Sequence, residues 1–127
     1  EAQLNLVSSQ AANWEMDKAN QMTASILTEH PEVKAFFCCN DSMALGAAAA
    51  IRTAGKSGQI LVAGYDGITA ACQLIKEGQM TCTIDQHADQ LAVFGIEYAL
   101  QVLRDKTAPQ DKETVVDLVT AESLAAR

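Results

Sequence analysis

The chain has 127 residues, of which 49% are hydrophobic and 20% charged, a composition typical of a globular domain and not of a disordered segment. Its net charge of −7 and isoelectric point of about 4.6 argue against a nucleic acid as partner, because a phosphate backbone would be repelled. No apolar run approaches the ~20 residues of a membrane span, and no secretion signal is visible, as would also be true of a processed chain.

Short apolar runs alternate with stretches of helical periodicity along the chain. This alternation is typical of a parallel α/β sheet flanked by helices. No internal repeat or dinucleotide-binding glycine motif interrupts this order, and we predict no cofactor. In chain order, we predict strands at residues 4–8, 35–39, 60–64, 80–84 and 115–119, helices at residues 14–27, 43–51, 69–75 and 88–104, and a linker at residues 107–111.

Local signals set the ends of the first two helices. Asn13 is the predicted N-cap of the first helix, which ends before Pro31 because proline forbids helical continuation. Asp41 or Ser42 is predicted to cap the second helix, and Gly55 is predicted to end it.

Polar residues follow two of the predicted strands. Asn40 comes directly after the strand at residues 35–39, and Tyr65 and Asp66 follow the strand at residues 60–64. In parallel sheets, ligands bind outside the carboxyl ends of the strands. One amide, one carboxylate and one aromatic ring at that edge indicate a site for a neutral small molecule rich in hydroxyl groups.

The four cysteines do not form a metal-binding pattern. Cys38 and Cys39 are adjacent and point to opposite faces of a strand, and neither histidine is near a cysteine in sequence. We therefore predict no metal site. The sequence leaves open whether Cys72 and Cys82 are bridged in an oxidising compartment.

Four segments resemble the signature motifs of periplasmic sugar-binding proteins of the ribose-binding group. They read SSQAANW at residues 8–14, FCCNDSMALG at residues 37–46, VAGYDG at residues 62–67 and EGQMTCTIDQ at residues 77–86. Because the four motifs occur in order and span most of the chain, the resemblance is specific to this family, although not to one sugar.

The resemblance implies four ligand contacts and one flanking residue. Trp14 would be an aromatic platform for the C–H face of a sugar ring, and Asn40 would donate to and accept from adjacent hydroxyls. Asp66 would accept two hydroxyl hydrogen bonds through its ionised oxygens. Gln86 would supply a further amide near a hinge, and Tyr65 would flank the ligand.

The resemblance also implies a function and an organisation. The protein would bind a pentose, hexose or polyol in the bacterial periplasm by closing two lobes over it, and would deliver it to the permease of an ABC transporter without catalysis. Residues 1–86 would be part of the C-terminal lobe, without the lobe's first strand and helix. Residues 87–114 would be the hinge crossing and a helix that packs on the other lobe, and residues 115–127 a return strand and tail.

Structural roles compete with each site assignment. Asn40 or Asp41 could only cap the following helix, Asp66 could form an Asx-turn, Trp14 could be a core residue and Gln86 could simply face solvent. Two other functions also remain open. One is the inducer-binding domain of a sugar-responsive repressor, and the other is an α/β enzyme with Asp66 as base.

The resemblance finally predicts self-association of the chain on its own. Without the lobe's central strand, the strand at residues 35–39 would have an unpaired edge. The helix from Ala88 would expose Leu91, Phe94, Tyr98 and Leu103 to water. We therefore expect a homodimer or higher oligomer in which this helix is swapped or packed against a neighbour.

Overall fold

The computed structural model describes residues 4–106, 111 and 113–126. Within these ranges the chain forms one sheet flanked by helices. The elements in chain order are α1 (Met16–Glu29), β1 (Ala35–Phe37), α2 (Asp41–Thr53), β2 (Leu61–Ala63), α3 (Thr69–Lys76), β3 (Cys82–Asp85), α4 (Ala88–Asp105), β4 (Asp117–Thr120) and α5 (Ala121–Ala125).

The described sheet has the strand order β1-β2-β3-β4. The first three strands are parallel, and β4 is antiparallel to β3. Phe37 lies beside Ala63, and Ala63 beside Cys82, so the carboxyl ends of β1, β2 and β3 meet at one edge of the sheet. The predicted α/β architecture with a mostly parallel sheet is confirmed.

One face of the sheet carries the hydrophobic core. Val62 and Val119 project from this face and are almost fully buried beneath α2, α3 and α5. α1 packs on α2 rather than on the sheet, and Gly46 permits the close approach because a Cβ there would overlap the Met16 carbonyl. The small alanine side chains of α2 let this helix lie close to the strands.

The opposite face of the sheet is apolar and largely uncovered by the described residues. Phe37 of β1 is 76% exposed, and Leu61 of β2 and Leu118 of β4 are also exposed. Because side chains alternate along a strand, these residues sit between buried neighbours such as Val62 and Val119. Strands that are hydrophobic on both faces are typical of parallel sheets that are covered on both sides.

The predicted strand at residues 4–8 is wrong. This segment has no regular structure, and Leu4 and Leu6 are exposed. A strand needs a partner for its backbone hydrogen bonds, and among the described residues β1 pairs with β2 alone and lies at the edge of the sheet. The local pattern of residues 4–8 was therefore insufficient to form a strand.

Two predicted helix caps are also wrong. Asn13 and Trp14 have positive φ angles of 51° and 65°, so α1 begins later, with Glu15 as its N-cap. α2 is capped by Asn40 rather than by Asp41 or Ser42, and the Asn40 Oδ1 accepts a hydrogen bond from the Met43 amide at 2.8 Å. The Asp41 side chain is buried and bonds elsewhere, and so it is unavailable as a cap.

The remaining elements lie close to their predicted positions. Gly55 adopts a φ of +69° directly after the C-cap of α2, as expected for a glycine that ends a helix. The five-residue helix α5 was not predicted, because so short a helix has no visible periodicity and depends on the capping box of Thr120 and Ser123. Residues 107–110 of the predicted linker lie outside the described residues.

Helix α4 is more exposed than α1, α2 and α3, each of which has buried residues. No residue of α4 is buried, and Leu91 and Leu103 are exposed while Phe94 and Tyr98 are half-buried.

All four cysteines are free, so the bridge between Cys72 and Cys82 is not formed.

Candidate functional site

The candidate site lies at the carboxyl edge of the parallel strands. Asn40 follows β1, Tyr65 and Asp66 follow β2, and Gln86 follows β3. Backbone hydrogen bonds tie these loops together, since the Asp41 amide donates to the Tyr65 carbonyl at 2.7 Å and the Asp66 amide donates to the Ile84 carbonyl at 2.9 Å. The loops therefore form one connected surface.

Asp66 and Gln86 are brought into direct contact. The Gln86 side-chain amide donates to Oδ1 of Asp66 at 2.9 Å. Asp66 has a φ of 132°, which residues with a side chain rarely adopt and which is typical of strained functional positions. The Asx-turn interpretation is wrong, because the Ile68 amide that such a turn would use donates to Asp41 instead.

Asn40 and Trp14 form the second half of the surface. The Asn40 side-chain nitrogen donates to the Trp14 carbonyl at 3.4 Å, while its Oδ1 caps α2. Asn40 therefore has the structural role proposed for it and still keeps one amide hydrogen for another partner. Trp14 is 65% exposed, so it is not a core residue.

Tyr65 lies between these two pairs along the chain. Its side chain is half-buried, and its carbonyl accepts the amide of Asp41. The five residues predicted for the site thus meet at one edge: Asn40 contacts Trp14, Asp66 contacts Gln86, and the Tyr65 backbone links the two loops.

A histidine and two further acids border the site at the start of α4. The Asp85 Oδ1 accepts the His87 amide at 2.9 Å, and His87 Nε2 lies 3.0 Å from Oδ2 of Asp117. These contacts tie the beginning of α4 to the beginning of β4. In the described ranges, no three His, Cys, Asp or Glu side chains are grouped so that they could hold a metal ion.

Two of the cysteines, Cys38 and Cys82, have raised thiol pKa values. Burial, and secondarily the neighbouring Cys39 and Asp41, raises the pKa of Cys38 to about 11. Burial also raises the pKa of Cys82. Both thiols therefore stay protonated at neutral pH, and a thiol is a poor nucleophile compared with a thiolate.

A groove of about 320 Å³ runs between α1 and the carboxyl-terminal half of α2, away from the strand ends. Across the part of the chain that the structure describes, none of the helices combines the length and the apolar character needed to cross a membrane.

Comparison with known proteins identifies the family. Residues 1–107 match the family described as periplasmic binding protein domain. The chain belongs to this family. The family match confirms the resemblance inferred from the four sequence motifs.

Individual relatives agree with this assignment. The chain is 47% identical over 124 residues to the D-ribose/D-allose-binding protein of Pseudomonas aeruginosa, covering 94% of this chain and 39% of that protein. The ABC transporter periplasmic solute binding protein of Actinobacillus succinogenes, solved with bound D-allose, matches with a TM-score of 0.90 and 38% identity over 96% of this chain and 43% of its own.

A polyol-binding structure is also similar. The myo-inositol binding protein of Caulobacter, bound to myo-inositol, has a TM-score of 0.89 and 30% identity, covering 96% of this chain and 42% of that chain. The chain thus spans about two fifths of the length of each of these periplasmic binding proteins.

Sequence reasoning missed Asp41 and Thr83 beneath the site. Both are fully buried, and the Thr83 hydroxyl donates to Oδ1 of Asp41 at 2.7 Å. The positions are 42 residues apart, so no local pattern connects them. The only sequence signals for this pair were the acid Asp41 directly after Asn40 and the threonine Thr83 within the β3 segment.

Proposed function

We propose that the chain contributes one side of the sugar-binding site of a longer periplasmic protein, which hands its ligand to the permease of an ABC transporter and performs no reaction. The contact between Asp66 and Gln86 at the carboxyl edge of the sheet is the observation that carries this proposal. The binding protein that contains residues 1–127 is called the full-length protein below.

The chemistry of the five residues suits a ligand with many hydroxyl groups. Gln86 occupies one oxygen of Asp66, and within the described residues no hydrogen bond engages the other oxygen. That oxygen would accept from a sugar hydroxyl, while the free amide hydrogen of Asn40 would donate to a neighbouring one. The exposed ring of Trp14 would pack against the C–H face of the sugar.

The ligand class is a monosaccharide or polyol. The relatives named above are described as binding ribose, allose or myo-inositol, and they are 30–47% identical to this chain in sequence. The Actinobacillus succinogenes protein is described as an ABC transporter solute binding protein, which supports a transport role over an inducer-binding domain. The same family membership supports a periplasmic location.

The uncovered surfaces support a place within a larger fold. Residues 1–86 would be part of one lobe, residues 87–114 a hinge crossing with its helix, and residues 115–127 a return strand and tail. The exposed apolar face around Phe37 and Leu61 would then be covered by the rest of this lobe, and α4 would pack on the other lobe. Closure of the two lobes would bury the sugar.

Calorimetry on the full-length protein tests the proposal. Titration with D-ribose, D-allose and myo-inositol should give a micromolar or tighter Kd for at least one of them, whereas L-leucine, which lacks a polyol, should give no heat of binding. The sugar recovered after incubation should be chemically unchanged. Absence of binding for all three ligands, or conversion of any of them to a product, would contradict the proposal.

A further inference from the structure

A buried polar pair, Asp41 and Thr83, lies beneath the candidate site and is not among its predicted ligand contacts. Asp41 and Thr83 have no exposed surface. The Thr83 hydroxyl donates to Oδ1 of Asp41 at 2.7 Å, and Oδ2 of Asp41 accepts the Ile68 amide at 2.9 Å. The Thr83 oxygen also accepts the Gly67 amide at 3.3 Å. The pair therefore joins the start of α2, the loop after β2 and the middle of β3.

The loop that this pair holds is the loop that carries Asp66. Asp41 binds it on both sides of that residue, since its amide donates to the Tyr65 carbonyl at 2.7 Å and its carboxylate accepts from Ile68. Asp66 itself has a φ of 132°. A backbone conformation of this kind persists only where the surrounding structure holds it in place.

Glycines make room for this arrangement. A Cβ at Gly64 would overlap Oδ1 of Asp41, so any larger residue there would displace the carboxylate. Gly67 has a φ of +75°, and a Cβ at that position would lie 2.8 Å from the Cβ of Asp85. Gly64 thus leaves the space that the Asp41 carboxylate occupies, and Gly67 lets the loop pass close to Asp85.

A role in helix capping does not explain the pair. Asn40 already caps α2. An exposed carboxylate could also cap a helix, and it would not incur the desolvation cost of a buried one. Burial of a carboxylate is favourable only when hydrogen bonds satisfy it, as Ile68 and Thr83 do here. An apolar pair would fill the same space but would leave the Gly67 and Ile68 amides unpaired.

We propose that Asp41 and Thr83 form a clamp that positions Asp66 for the ligand. Neither residue touches the sugar; they act through the loop at residues 65–68, and both are positioning residues. This inference rests on the proposed function, because the clamp matters for binding only if Asp66 is a ligand contact.

Variants of Thr83 in the full-length protein test the clamp. Thr83→Val keeps the shape of the side chain but removes the hydroxyl, and it should weaken D-allose or D-ribose binding by roughly tenfold or more. Thr83→Ser keeps the hydroxyl and should stay within about twofold of the unmodified Kd. Ile51→Val removes a buried methyl group far from the loop, and it controls for loss of stability without loss of the clamp.

A double-mutant cycle separates positioning from general destabilisation. If Thr83 acts through Asp66, then Thr83→Val should change the Kd by less than about twofold when Asp66→Ala is already present. Additive effects of the two substitutions would overturn the inference. Should Thr83→Val not fold, Asp41→Asn replaces it in the same cycle.

Amide hydrogen exchange supplies a readout that needs no ligand. Thr83→Val should speed exchange of the Gly67 and Ile68 amides, and Ile51→Val should leave them unchanged relative to the rest of the protein. Equal protection of these amides in the unmodified protein and in Thr83→Val would overturn the clamp. Failure of the unmodified protein to bind either sugar would count against the proposed function, and the exchange result alone would then decide whether the clamp exists.

Discussion

The side-chain amide of Gln86 lies 2.9 Å from Oδ1 of Asp66 and donates a hydrogen bond to it. This contact joins the loops after two neighbouring parallel strands, beside the bridge between Asp66 and Asp85. The orientation of the carboxylate is therefore set by the protein's own loops, which lowers the cost of ordering it when a ligand arrives.

Replacement of Asp66 by alanine in the full-length protein should weaken sugar binding strongly. The variant removes a charged acceptor and leaves a buried sugar hydroxyl unpaired, a loss on the order of 2–4 kcal/mol. The Kd should rise about 30- to 1000-fold in calorimetry, while circular dichroism changes little. Glu29→Ala removes an exposed carboxylate at the end of α1 and should bind normally. Normal affinity in Asp66→Ala would assign Asp66 to the loop alone.

The chain of residues 1–127 should bind sugar weakly by itself. A typical small-molecule site covers roughly 70–90% of its ligand, and this chain would supply one side of that cover. We expect a Kd at or above the order of millimolar for D-ribose or D-allose in calorimetry. Micromolar binding by the isolated chain would show that these residues form a complete site.

The isolated chain should form a dimer or a higher oligomer. Exposed Phe37 and Leu61 on the sheet and exposed Ile96 and Leu100 on α4 lose water contact when two copies pair, either by packing or by exchange of α4. Light scattering should give at least twice the monomer mass, and the double variant Ile96→Gln with Leu100→Gln should dissociate more readily. A well-behaved monomer of the unmodified chain at high concentration would refute this expectation.

Gly46→Ala should destabilise the fold although alanine favours helices. A Cβ at this position overlaps the Met16 carbonyl and lies 3.1 Å from the Asn20 amide nitrogen, so α1 and α2 must separate. Overpacking of this kind costs roughly 1–3 kcal/mol, more than the ~1 kcal/mol gained in helix propensity. Denaturant titration measures the difference. Ser25→Ala on the exposed surface of α1 should change stability by about 0.5 kcal/mol or less.

The raised pKa of Cys38 should make stability fall at alkaline pH. Its pKa is about 11 in the folded chain against an ordinary value of 9.0, chiefly because the thiol is buried. The unfolded chain loses the thiol proton of Cys38 at a lower pH than the folded chain does. The free energy of unfolding is therefore unaffected by this group below pH 9.0 and falls as the pH rises toward about 11. The loss should be on the order of 2 kcal/mol and smaller in Cys38→Ala.

Denaturant titrations across this pH range measure that effect. Cys39→Ala is the matched control, because Cys39 is exposed while Cys38 is half-buried. An identical alkaline decline in the unmodified chain and in Cys38→Ala would contradict the assignment. At neutral pH, a thiol reagent should modify Cys39 well before Cys38, because Cys39 is exposed and the raised pKa of Cys38 lowers the reactivity of Cys38.

The sequence predicted the elements whose signals are local. The apolar runs before Asn40 and Tyr65 predicted β1 and β2, and helical periodicity predicted α1 to α4. The order of these elements predicted that polar residues after successive strands would meet at one edge of a parallel sheet. The motifs identified the family for the same reason, because each lies within a short continuous stretch.

Only the tertiary structure decided how residues distant in sequence pair. Gln86 contacts Asp66, and Thr83 contacts Asp41. Both contacts depend on the register of the strands in the sheet. The segment at residues 4–8 shows the converse: its composition favours a strand, yet a strand exists only through hydrogen bonds to another, and no described strand lies beside it. Local sequence therefore determined which elements form from their own residues, whereas pairing, burial and the buried clamp were decided by contacts that exist only once the sheet is assembled.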